Sequence, residues 1–371
     1  MLFNLGTKKL VELLKSPNKD SFSPLHWAVG RNTRHQHNIY QTVDYLALFG
    51  KERLNVLNLQ LPTRQTFPSY IDQDEVTTLQ QHIDQVGDTI AHTIARRGCD
   101  RQLFYMLLNL VDAEITNVLS LKNCVNETPL HVAANHSDRF PDVLSLFIDE
   151  SIESSHIDNA RHLELLKMQN ILGDTVFHKL ASSCVQPSIH GNVFEYFSAL
   201  DLDSLLSIRN KRLETAEHAA VRHGNIWYVE SVFNKLKQLP NRIRTHLLMK
   251  DSTGSTPLHT AVYHVDDKLL SYLLSEVDED ATKALLETTD NDGNTPAHLA
   301  LELNKIDKLN LLLKLSSMRG HPSTLLAENE EGRNVLDLIG DKLNIWKRLI
   351  EDILGKSLVI RCACTLPRTV W

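Results

Sequence analysis

The stretch Gly254-Ser255-Thr256-Pro257-Leu258-His259-Thr260-Ala261 returns 39 residues later as Gly293-Asn294-Thr295-Pro296-Ala297-His298-Leu299-Ala300. It also stands upstream as Asn126-Glu127-Thr128-Pro129-Leu130-His131-Val132-Ala133. A chain that restarts one local structure at a nearly fixed interval buries its apolar surface by stacking each unit on the next, so the pattern dictates an array of repeats. The chemistry of the motif is that of a helix start. The Thr oxygen can accept from a backbone N–H of the first turn, and Pro follows at the first helical position, where its missing N–H costs nothing. The Gly two residues before Thr permits the positive φ of a tight turn.

Aligned on the His, weaker copies appear at Ser23-Pro24-Leu25-His26, Thr89-Ile90-Ala91-His92, Thr175-Val176-Phe177-His178 and Thr215-Ala216-Glu217-His218. A last copy, Asn334-Val335-Leu336-Asp337, has Asp in place of His. The series 26, 92, 131, 178, 218, 259, 298 and 337 advances in steps of 66, 39, 47, 40, 41, 39 and 39. After each copy comes an apolar stretch expected as a second helix: Leu103 to Leu108, Val143 to Ile148, Val193 to Phe197, Val229 to Phe233, Leu269 to Leu274 and Leu309 to Leu313.

This pattern resembles the ankyrin repeat, a β-hairpin followed by two antiparallel helices. The resemblance implies an all-α solenoid of seven or eight helix pairs. It also implies that His26, His92, His131, His178, His218, His259 and His298 brace the hairpins rather than perform chemistry. The family period is about 33 residues, whereas this chain steps by 39 or more. The surplus falls in stretches such as Asn241 to Leu248 and Asp278 to Leu286, which read as a short extra helix with Asp278 to Asp280 at its N-terminus. The organisation expected is a capping repeat over 1–50, an insert or decayed repeat over 51–84, repeats over 85–327, and a capping repeat with tail over 328–371. The long, irregular repeats, without a Gly-Ala-Asp ending, are also similar to those of ankyrin-repeat effectors that intracellular bacteria deliver into host cells. That resemblance implies a virulence role and a host cytoplasmic location.

Composition narrows the function classes. Lys and Arg number 39 against 46 Asp and Glu, a net charge of −7, which argues against general nucleic-acid binding. No apolar run reaches the ~20 residues of a membrane span, and the N-terminus has no secretory apolar core. Cys99, Cys124, Cys184, Cys362 and Cys364 are scattered and odd in number, which points to reduced thiols and a cytoplasmic setting. No Gly-rich phosphate loop, nucleophile elbow or His-Glu-x-x-His is present, so neither an enzyme, a metal site nor a cofactor is expected.

The function expected is therefore non-catalytic binding of a partner protein by a monomer. The resemblance places the recognition face on the hairpin tips and on the residues four and five after each repeat His. These positions give Arg96, Arg97, His136, Lys211, Arg212, Arg222, His223, Tyr263 and His264, a basic and aromatic stripe suited to an acidic or phosphorylated segment. Two alternatives stay open. One is an effector enzyme with its site in the 51–84 insert or between repeats, marked by a non-repeat His such as His35, His37 or His82. The other is a structural or self-assembling role.

Overall fold

The computed structural model describes residues 87–97, 115–136, 159–183, 193–263, 267–318 and 326–341, with Leu144 and Ile148 besides. The first capping repeat with His26, the 51–84 segment, the C-terminal tail, His264 and Cys99, Cys184, Cys362 and Cys364 lie outside the described residues. The chain divides into two compact units, Met1–Asp201 and Leu202–Trp371. Among the described residues the secondary structure is helical, apart from one isolated antiparallel bridge between Glu328 and Asn334.

The first unit holds α1 (Ile90–Arg97), α2 (Ile115–Ser120), α3 (Pro129–Asn135), α4 (Asn159–Lys167) and α5 (Val176–Ser182). Helices α1, α3 and α5 are the motif helices, and they pack on one another in that order. The run Val193 to Phe197, expected as a helix, forms a 3-10 turn over Val193–Tyr196. The next helix, α6 (Ala199–Leu206), begins almost at once, with the Ser198 hydroxyl accepting from the N–H of Asp201 at 3.1 Å. The turn still buries Val193, Phe194 and Phe197, and the two Phe rings pack on Phe177 of α5.

The second unit begins within α6. It continues with α7 (Ala216–His223), α8 (Ile226–Leu236), α9 (Arg242–Leu247), α10 (Pro257–Tyr263), α11 (Asp267–Ser275), α12 (Glu279–Glu287), α13 (Pro296–Glu302), α14 (Ile306–Met318) and α15 (Val335–Asp341). Each complete period is thus three helices rather than two. Helices α9 and α12 are the surplus residues, and Asp278 caps α12 by accepting from the N–H of Ala281 at 2.7 Å. The core runs through the second helices: Val229, Val232 and Phe233 of α8, Leu269, Leu270, Leu273 and Leu274 of α11, Leu309, Leu312 and Leu313 of α14. Burying each such side chain contributes about 1.5–3 kcal/mol, and the burial lies between repeats: Phe233 of α8 stacks on Tyr272 of α11.

The positive φ inferred for the motif Gly is present at Gly87, Gly173, Gly254, Gly293 and Gly332. Two repeats reach the same left-handed backbone without Gly, at Asn126 with φ 58° and at Leu213 with φ 57°.

Candidate partner-binding surface

Every described motif His accepts at Nδ1 from the N–H of its motif Thr. In the second-described repeat, the Thr128 N–H donates to Nδ1 of His131 at 3.3 Å, and Nε2 lies 3.0 Å from the carbonyl oxygen of Asp174 in the next repeat. A backbone N–H can only donate and a carbonyl can only accept. Nδ1 is therefore the acceptor and Nε2 bears the proton. No other side chain offers both roles at this spacing, which is why the motif uses His. The Thr–His pair forms a capping box at α3, α5, α7 and α13. Nε2 crosses to the next repeat from His92 to Glu127, from His218 to Ser255, from His259 to Asn294 and from His298 to Arg333. Protonation would destroy the Nδ1 bond. Burial holds His92, His131, His218, His259 and His298 below the usual histidine range, and His131 and His259 are lowered to about 4. The last copy keeps the local half of the device: Asn334 N–H donates to Asp337 Oδ2 at 3.1 Å, and Asp337 N–H donates to Asn334 Oδ1 at 3.0 Å.

The hairpin tips are held to one another by main-chain bonds. Ser252 N–H donates to Arg212 O at 2.8 Å, Asn291 N–H to Thr253 O at 2.9 Å, and Glu330 N–H to Asp292 O at 3.1 Å. In the first unit Ile171 N–H donates to Val125 O at 3.0 Å. Side chains at the tips of the second unit thus stand on a fixed ladder. Lys211, Arg212, Leu213, Ser252, Thr253, Asn291 and Asp292 are all exposed there.

The residues expected to form the stripe have different fates. Arg96 donates through Nε and Nη2 to Oδ2 of Asp88 at 3.1 and 3.0 Å, with the carboxylate almost wholly buried. Its Nη1 lies 3.4 Å from Nε2 of His136, so these two are brought together. Arg97 lies in α1, and nothing is described of its side chain. Arg222 pairs with Glu214, its Nη1 donating to Oε2 at 3.3 Å. In both cases the acid sits just before the motif Thr and the Arg four residues after the motif His, so the guanidinium already faces a carboxylate of its own repeat. His223, Lys211 and Arg212 are exposed.

The sign then reverses along the second unit. The residues before the motif Thr become Ser255 and Asn294, and the positions that held Arg become Tyr263 and Glu302. Tyr263 is 55% exposed. Burial, then the charges of Asp290, Glu302, Asp251 and Asp292, raise its hydroxyl above the usual tyrosine range. Glu302 is raised by burial and by Asp290, Glu331 and Asp292.

Sequence reasoning passed over two features that the repeat register could have shown. Leu213 occupies a position that calls for Gly. Glu217 occupies the helix position held by Leu130, Phe177 and Leu258 in other copies. Among the described residues no group of three His, Cys, Asp or Glu could hold a metal ion, and no helix is long and apolar enough to cross a membrane.

Residues 232–320 match the family model described as ankyrin repeats, with 3 copies. The chain carries ankyrin repeats. Over 185 residues it is 23% identical to the nuclear factor NF-kappa-B p105 subunit of Gallus gallus, a match that takes in 50% of this chain and 17% of that protein. Among solved structures it is similar to the ankyrin repeat domain of Bcl-3, described as a member of the IkappaB protein family. The identity is 19% and the TM-score 0.40, with 58% of this chain and 82% of that one covered.

Proposed function

We propose that this ankyrin-repeat protein is a non-catalytic interaction module that binds a partner protein through its hairpin tips and the adjoining ends of its motif helices. The observation that supports this reading is the tip ladder of the second unit. Main-chain bonds fix the backbone of Arg212, Thr253 and Asp292, while the side chains there are exposed. A rigid backbone presenting free side chains lowers the ordering cost of association. Lys211 and Arg212 engage an acidic or phosphorylated segment of the partner, and the protein acts as a monomer.

The test is affinity capture from eukaryotic lysate, comparing wild type with Lys211→Glu/Arg212→Glu and identifying bound proteins by mass spectrometry. A specific partner lost in the variant supports the reading. A partner retained undiminished moves the site off the tips, and sedimentation that changes with concentration argues for self-assembly instead.

A second reading concerns where the module works. The long, irregular repeats without a Gly-Ala-Asp ending resemble those of bacterial effectors, which supports delivery by a bacterium and action in the host cytosol. A translocation reporter fused to the chain and expressed in an intracellular bacterium tests this, and absence of signal in host cells sinks it.

A further inference from the structure

Leu213 stands where the described repeats otherwise place Gly87, Asn126, Gly173, Gly254, Gly293 and Gly332, and its φ is 57°. An L-residue in left-handed backbone costs about 1–2 kcal/mol, and only Gly, with Asn and Asp to a lesser degree, goes there readily. An exposed leucine needs no explanation on a protein surface. A leucine held in strained backbone does, because the strain persists only where something retains it.

The core does not retain it. The side chain is 47% exposed. Nor is the space generic: a Cβ at Gly254 would lie 2.4 Å from Oδ1 and 2.6 Å from N of Asn291, and one at Gly293 would lie 2.7 Å from N of Glu330. At those tips the next hairpin closes over the glycine, whereas at Leu213 a large side chain is accommodated and presented outward. The flanking bonds are ordinary. Leu213 N–H donates to Asn210 O at 2.9 Å, and Asn210 Oδ1 accepts from Arg212 N–H and Glu214 N–H at 2.9 and 3.0 Å. The turn therefore gains nothing from leucine that glycine would not give.

Lys211 and Arg212 precede it at the same tip, both exposed. The nearest acid in sequence, Glu214, is taken by Arg222 and by the Asn210 amide at 3.1 Å, so it does not neutralise them. An exposed apolar side chain beside two cations is complementary to one kind of ligand.

We propose that Leu213 is the apolar anchor of the partner-binding surface, set beside Lys211 and Arg212 to receive a peptide segment that bears carboxylates next to an apolar side chain. The inference rests on the reading of the tips as a binding surface, and it names the anchor and the partner chemistry.

The experiment uses the full chain and a short fluorescein-labelled peptide rich in Asp and Glu with a central Phe, followed by fluorescence anisotropy. A counterpart peptide has Ala at the centre. The variants are Leu213→Gly, Leu213→Asn and Lys211→Glu/Arg212→Glu. The expected result is binding to wild type and a loss of about tenfold in both Leu213 variants, accompanied by a melting temperature equal to or above that of wild type. The loss should vanish with the Ala peptide, and the charge reversal should abolish binding. Unchanged affinity in the Leu213 variants, with binding lost on charge reversal, overturns the anchor and leaves the binding surface standing. Binding kept in all variants, or absent in wild type, overturns both. A lower melting temperature in Leu213→Gly assigns the leucine a structural role and overturns the anchor.

Discussion

His246 of α9 places its Nδ1 3.0 Å from Oε1 of Glu217 of α7, with both side chains buried. Its Nε2 is 3.1 Å from Oδ1 of Asp203 on α6, so one imidazole bridges two carboxylates from two other helices. Glu217 sits where other motif helices carry Leu or Phe, and the surplus helix supplies the group that makes this tolerable. Burial alone would lower the His246 imidazole, but the Glu217 carboxylate, then Asp203, raise it to about 9. Glu217 is pushed up by burial, yet His246 and the Thr215 hydroxyl hold it below the usual carboxylate range.

Removing one partner strands the other. His246→Ala should destabilise the protein by about 3–5 kcal/mol, because Glu217 remains buried without its cation and Asp203 keeps only Arg242, at 3.5 Å. Glu217→Leu/His246→Leu should recover most of that loss, since an apolar pair of similar volume replaces a buried ion pair at little cost. Urea unfolding of both variants checks this. Equal losses would show that the ion pair matters less than the packing of α9.

The pH profile should have two flanks. His246 is raised in the folded state, so its contribution is full below pH 6.5 and disappears as pH passes 9. Between pH 7 and 9.5 the loss is about 2–3 kcal/mol, absent in the double leucine variant. The motif histidines behave oppositely. They are lowered, so the unfolded chain binds more protons than the folded one below pH 6.5 and stability falls toward pH 4. At pH 5 each of His131 and His259 accounts for about 2 kcal/mol. Denaturant titrations from pH 4 to 10 should place maximal stability between about 6.5 and 8. Highest stability at pH 5 would refute the neutral tautomer.

Equivalent glycines should not be equally sensitive. Gly254 and Gly332 share positive φ, at 76° and 69°, but a Cβ at Gly254 meets Asn291 at 2.4 Å while one at Gly332 meets nothing within 4 Å. Gly332→Ala should cost about 1 kcal/mol, the backbone penalty alone. Gly254→Ala should cost at least about 2 kcal/mol, since the next tip must also shift. Thermal melts of the two variants decide it.

Charge reversal on the face should separate into two classes. Arg96→Glu sets a carboxylate against buried Asp88 and should destabilise by about 2–3 kcal/mol. Lys211→Glu/Arg212→Glu, on exposed side chains, should leave stability within about 0.5 kcal/mol. Any binding lost in Arg96→Glu must therefore be corrected for the unfolded fraction, measured by circular dichroism at the assay temperature.

The all-α repeat fold, its register and the extra helices could be read from the sequence because helix starts are local: Thr, Pro and His act within one turn. The bridge from His131 to Asp174 could not, since it depends on how repeats stack. The face was harder still. Arg96 and Arg222 look like free cations in the sequence, yet each is countered by an acid eight residues earlier, a pairing set by the fold of the hairpin onto its own helix. Leu213 and Glu217 were visible as departures from the register, but only burial separates their meanings: one is turned outward under strain, the other inward with a compensating charge.

Asp337 supplies the acceptor that His Nδ1 supplies elsewhere, but a carboxylate has no proton to hand to a following repeat. The row of histidines works as a sequence of plugs, each needing a socket in its neighbour, and Asp337 is a plug without a prong. A shortened array that stopped before Arg333 would leave the Nε2–H of His298 without its socket, and His298→Asp would keep the local helix cap while removing that unmet donor.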